Sequence, residues 1–166
     1  MEDIDFVVVL SRWIHIMAAI VAIGAVAFQR FALLPVAKQI LSDEKQQELR
    51  EGIRRRWAKF VHGCIALLLV TGGLNFVWLA MPPKVEPMPY HGIFGVKFFA
   101  AMGIFFLATA LTGRSPGFAH FREKGRKWLS VILVLAVVVV LLSGMLNQIR
   151  ASGGAVVLPA TTTAPE

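Results

Sequence analysis

Four long apolar runs, separated by charged stretches, constrain this chain more than any other feature: about 6–34, 57–81, 92–112 and 128–149. A helix rising 1.5 Å per residue crosses a hydrocarbon core of roughly 30 Å in about 20 residues, so each run is long enough to span a bilayer. A mean hydropathy of +0.68 with 16% charged residues excludes a soluble globular chain. The pattern predicts an all-α integral membrane protein, a four-helix transmembrane bundle over residues 1–150 with sequential neighbours antiparallel. The acidic start, Glu2, Asp3 and Asp5, lacks the basic region of a signal peptide, so the first run is read as a mature helix. Residues 151–166, with Ser152-Gly-Gly and Thr161-Thr-Thr-Ala-Pro, predict a disordered tail.

The formal charge of +7 follows topology rather than a nucleic-acid face. Of 17 Lys and Arg, 13 lie at the end of the first helix or in the connections 35–59 and 112–127, which share one side of the membrane. The positive-inside rule puts those connections in the cytoplasm and both termini outside, in a bacterial inner membrane with N-out and C-out topology. No base-contacting motif accompanies the charge, so nucleic acid is not an expected partner. The lone Cys64 excludes an intrachain disulfide.

Local signals divide the chain further. Pro35 predicts that the first helix ends near Phe31 to Pro35. Ser42 is an N-cap candidate for a cytoplasmic helix in which Glu51 precedes Arg55 by four residues. Arg54, Arg55, Arg56 and Lys59 with Trp57 mark an inner interface.

The polar groups inside the spans carry the functional reading. His15 falls well inside the first span, where an ionisable group is costly and usually finds a protein partner. Lys97 sits about two turns into the third span, while Arg12, Asn75, His91, Ser143 and Asn147 lie nearer the outer face. Polar groups therefore concentrate in the outer half. His62 lies near the inner face, on the order of 10 Å below His15, which disfavours one metal bridging the two. Ala18, Ala19, Ala22 and Ala25 follow His15 at helical spacing, and Ala100, Ala101, Ile104 and Ala108 follow Lys97. Such smooth stripes suit close helix packing or leave room for a flat cofactor. Met81, Met88 and His91 supply thioether and imidazole donors that suit Cu(I), and Cys64 is either an exit ligand or a small packing residue.

Three motifs in order resemble a known family. His15-Ile-Met-Ala-Ala with Gly24, Phe28 and Leu33-Leu34-Pro35, then Thr71-Gly72-Gly73-Leu74-Asn75, then Gly95-Val96-Lys97-Phe98 are similar to the copper-resistance protein D (CopD) domain over roughly residues 9–112. That resemblance implies an inner-membrane bundle concerned with copper uptake or tolerance, beside a periplasmic copper carrier. The His and Lys also resemble the HemJ type of haem-b-binding membrane protein. Here Phe28-Gln29-Arg30-Phe31 stands where that type has a Tyr-Leu-Pro-Arg stretch, which argues against its oxidase activity and not against haem binding.

Three functions follow as expectations. The first is copper handling by a protein that is not an enzyme, with His15 as ligand inside the bundle, Met81, Met88 and His91 at the mouth, and Lys97 with Asn75 shaping the pocket. A lysine ammonium beside a cation site opposes that reading by like-charge repulsion. The second is a b-type haem protein in electron transfer or porphyrin oxidation, its cofactor-binding candidates His15, Lys97, Asn75, Arg12 and His62. The third is an accessory subunit of a respiratory or photosynthetic complex, in which the Val- and Leu-rich last helix docks other membrane subunits.

Overall fold

The computed structural model describes residues 6–80 and 87–151, and it is helical almost throughout, with no strand among those residues. In chain order the helices are α1 (Phe6–Phe28), α2 (Leu34–Ile40), α3 (Asp43–Ala80), α4 (Pro87–Thr112), α5 (Ala119–Glu123) and α6 (Gly125–Ala151). Four segments are long and apolar enough to cross a membrane: Phe6–Ile40, Asp43–Val77, His91–Thr112 and Gly125–Ile149. The chain is thus a multi-pass membrane protein. The expected tail lies outside the described residues from 152 onward, as does Met81.

Each neighbouring pair in the bundle is antiparallel, and long-range contacts fix this. His15 of α1 meets Thr71 of α3, Phe76 stacks on Phe94 of α4 at 4.2 Å, and Arg12 donates to the side-chain carbonyl of Asn147 on α6 at 3.2 Å. At the opposite end Arg54 of α3 reaches the Gly113 carbonyl after α4, and Arg30 reaches Ser130 of α6. The helices close a ring in the order α1, α3, α4, α6, leaving α1 diagonal to α4 and α3 diagonal to α6. The start of α1 and the end of α6 share one end, called here the terminal end. The opposite end, which holds α2, α5 and most of the cations, is the basic end.

The first helix does not stop at Pro35. A π-helical segment, Gln29–Leu33, joins α1 to α2, and the Leu34 amide donates to the Gln29 carbonyl five residues back. Proline lacks an amide hydrogen and its ring crowds the carbonyl four residues earlier, so a locally widened turn lets the helix continue through it. The sequence signal for termination was real, and a π segment absorbs it.

The connection between the first two spans forms the expected helix after Ser42, and that helix runs on into the second span. α3 begins at Asp43 and continues for 38 residues into its membrane span. The Gln46 side chain folds back to the Leu41 carbonyl at 2.9 Å, while Ser42 contributes its carbonyl to the Gln46 amide. Glu51 pairs with Arg54 rather than Arg55, accepting from one guanidinium nitrogen through both carboxylate oxygens. The other terminal nitrogen of Arg54 donates to the Gly113 carbonyl, which also accepts from Arg122; Arg122 donates further to Ser115. Two cations on the carbonyl just past the end of α4 satisfy a group the helix leaves open and favour its negative dipole end.

Large apolar side chains face outward, including Phe31, Phe99, Val134 and Leu141. In water such a surface would aggregate; in lipid it is the ordinary exterior of a span. The interior is unusual in the other direction. Among the described residues no large side chain is fully buried, and the small core consists of residues such as Ala110, Ala136 and Ile132. The four helices surround a space instead of filling one.

Candidate functional site

That space is a cavity of about 1520 Å³ bounded by all four spans. Ligand pockets usually measure roughly 300 to 1,000 Å³, so this one has room for a large molecule. Its volume comes from the small-residue stripes. Ala19, Ala22 and Ala25 of α1 line it, as do Ala101, Ile104 and Ala108 of α4 and Ala136 of α6. Ala18 is buried outside the lining. The stripes therefore serve mainly to leave space rather than to bring backbones together.

Polar groups line both ends of this chamber, with Gln46, Arg50, Arg54 and Arg126 among those at the basic end. At the terminal end Arg12, His15, Asn75, Lys97, Ser143 and Asn147, drawn from all four spans, line it. Lys97 makes no hydrogen bond or ion pair with any described residue. Asn75 has a buried side-chain oxygen with no partner among the described residues. Arg12 is held by its bond to Asn147, which ties the start of α1 to the end of α6.

His15 is the most constrained of the group. Its Nδ1 lies 2.8 Å from the Thr71 hydroxyl oxygen, and that hydroxyl lies 2.6 Å from the Leu67 carbonyl. A threonine hydroxyl has one hydrogen, and the carbonyl can only accept it. The Thr71 oxygen must therefore accept from His15, which places the imidazole hydrogen on Nδ1. In the neutral ring Nε2 then carries the lone pair, which is the form a metal-ligating histidine takes. Thr71 is nearly buried, so water competes little for this bond.

Gly72 completes the seat. A Cβ placed there would stand 3.2 Å from Cε1 of His15, closer than ordinary van der Waals contact. The Thr71-Gly72 pair thus combines a hydroxyl that orients the imidazole with a surface flat enough to admit it. Sequence reading singled out this motif without assigning it a contact; the signal available was a hydroxyl beside glycine in a span facing an intramembrane histidine.

The remaining candidates separate. His62 is exposed and outside the cavity lining, with its Nδ1 2.6 Å from the Ala58 carbonyl of its own helix. It is not brought to His15. His91 is exposed near the start of α4, and Met88 lies in the first turn of that helix. Cys64 is buried and lines the cavity about two helical turns from Thr71, toward the basic end. Among the described residues no group of three or more His, Cys, Asp or Glu is placed to hold a metal ion.

Compared with known proteins, the chain matches no family model, no curated protein and no solved structure. Its geometry is therefore the ground for a functional reading.

Proposed function

We propose that this protein holds a haem b-type tetrapyrrole in the terminal half of its chamber and serves electron transfer in a bacterial inner membrane, with both termini on the periplasmic side. The observation that carries the proposal is His15, seated on Gly72 with Nδ1–H given to Thr71, facing a cavity large enough for a macrocycle. Burial among apolar walls suits a hydrophobic ring, and Lys97 and Arg12 supply the positive charge that propionate carboxylates need. When bound, the iron supplies one-electron chemistry. The chain's part is to present a neutral Nε2, fix the imidazole orientation through Thr71, neutralise the carboxylates and keep lipid from the ring.

This reading uses Lys97, which the copper reading must explain away. Copper handling, as the CopD resemblance implies, needs further soft donors beside His15, and Met81 is outside the described residues. A periplasmic copper carrier and other membrane subunits are partners of the copper and accessory-subunit readings respectively. The outer face of α6, with Val134, Val137 and Leu141 exposed, is equally suited to lipid and to a neighbouring subunit.

Haemin titration into purified protein tests the proposal. Saturable binding near one equivalent, with a Soret shift absent in His15→Ala, is the expected outcome. Unchanged binding in His15→Ala, or stoichiometric Cu(I) capture by a protein that takes no haem, overturns it.

A further inference from the structure

A second pocket, of about 400 Å³, lies at the basic end against the π segment and the junction of α5 and α6. Its lining is Arg30, Glu123, Lys124, Arg126 and Lys127. Four cations against one carboxylate leave three positive charges around a small space, and no ion pair links any of the five among the described residues. Like charges at such separations repel, so an arrangement of this kind is stabilised by an anion between them.

Arg30 is the fixed member of the group. Its Nε donates to the Ser130 hydroxyl at 2.7 Å, and that hydroxyl lies 3.3 Å from the Arg126 carbonyl. The guanidinium also lies 5.4 Å from the centre of the Phe31 ring. These contacts hold the planar fork in place while its two terminal nitrogens donate to no described residue. A held guanidinium with both terminal nitrogens available is the geometry that takes a phosphate through two hydrogen bonds. The π segment produces the placement, because the widened turn sets where residue 30 leaves the helix.

The pocket's neighbours indicate the source of the phosphate. Arg126 and Lys127 occupy the first turn of α6, where the helix dipole disfavours cations and favours an anion. Phe31 is exposed beside Arg30, and this end of the spans is where apolar helix gives way to charged connection, at headgroup depth.

We infer that the pocket formed by Arg30, Lys124, Arg126 and Lys127 is a binding site for the phosphodiester headgroup of an anionic phospholipid. The exposed apolar surface around Phe31 lies along the acyl chains, while the exposed side chains of Lys124, Arg126 and Lys127 close over the phosphate. The site adjoins the basic end of the chamber, with which it shares Glu123 and Arg126, and stands at the opposite end from His15.

The test compares detergent-purified protein by native mass spectrometry and thermal shift, with phosphatidylglycerol, cardiolipin, phosphatidylcholine or inorganic phosphate added. Phosphatidylglycerol and cardiolipin are expected to bind and to raise the melting temperature, with phosphatidylcholine weaker by at least tenfold. Each neutralised cation is expected to weaken anionic-lipid binding about fivefold, so K124Q/K127Q loses roughly 25-fold. R30Q is expected to lose the preference for anionic lipid altogether. The double variant leaves the Arg30–Ser130 bond intact and decides the matter if R30Q does not fold. Equal lipid preference in wild type and K124Q/K127Q overturns the proposal. Protection by inorganic phosphate equal to that by phosphatidylglycerol also overturns it, and identifies a free-phosphate site.

Discussion

The His15–Thr71 bond concentrates much of the chemistry in two side chains, because the hydroxyl's single hydrogen is already committed to Leu67. Thr71→Val keeps the shape and removes the hydroxyl that accepts from Nδ1–H, loosening the hold on the ring. By analogy with outer-shell partners of ligating histidines, haem affinity should fall roughly 10- to 100-fold with little loss of fold, measurable by titration. Gly72→Ala works by crowding: its Cβ would press on Cε1 of His15. Displacing the ring should weaken binding at least as much as Thr71→Val does, and overpacking should cost about 1–3 kcal/mol of stability in a denaturant titration. Lys97→Met distinguishes the two roles open to that lysine. Snorkelling to the interface predicts unchanged binding; pairing with a carboxylate predicts a loss on the order of tenfold or more, since charge-assisted bonds contribute about 1.5–3 kcal/mol.

At the scale of elements, the junctions matter more than the spans. The close of α4 depends on Gly113, where a Cβ would meet the Thr109 carbonyl oxygen at 2.8 Å, a backbone atom that cannot swing aside. Gly113→Ala should cost about 1–3 kcal/mol and loosen the carbonyl that Arg54 and Arg122 share, seen as a lower melting temperature. Sequence reading located the four spans because twenty-residue apolar runs have few alternatives in a helix-forming chain. It read the helix that leads into the second span and missed the other features of the junctions for identifiable reasons. Pro35 signalled an end that the π segment removes, and widened turns have no simple residue signature. Arg54 and Arg122 were legible only as interface charge, since their shared target is a carbonyl 59 residues from one and nine from the other.

For the whole molecule, the hollow centre is the feature that sequence left ambiguous. An alanine stripe is compatible with tight packing or with open space, and only the separation of the four helices decides between them. The convergence of His15, Lys97, Asn75 and Arg12 on one chamber was legible from their depth along the spans. The separation of His62 was legible in part, since its depth disfavours a bridge to His15, whereas the helical rotation that turns it outward was not. The direct test of the account is an absorption spectrum with metal analysis on one sample purified from native-like membranes. A Soret band with about one iron per chain, absent in His15→Ala, is the predicted result; no pigment and no iron in folded wild-type protein from haem-replete cells would contradict it.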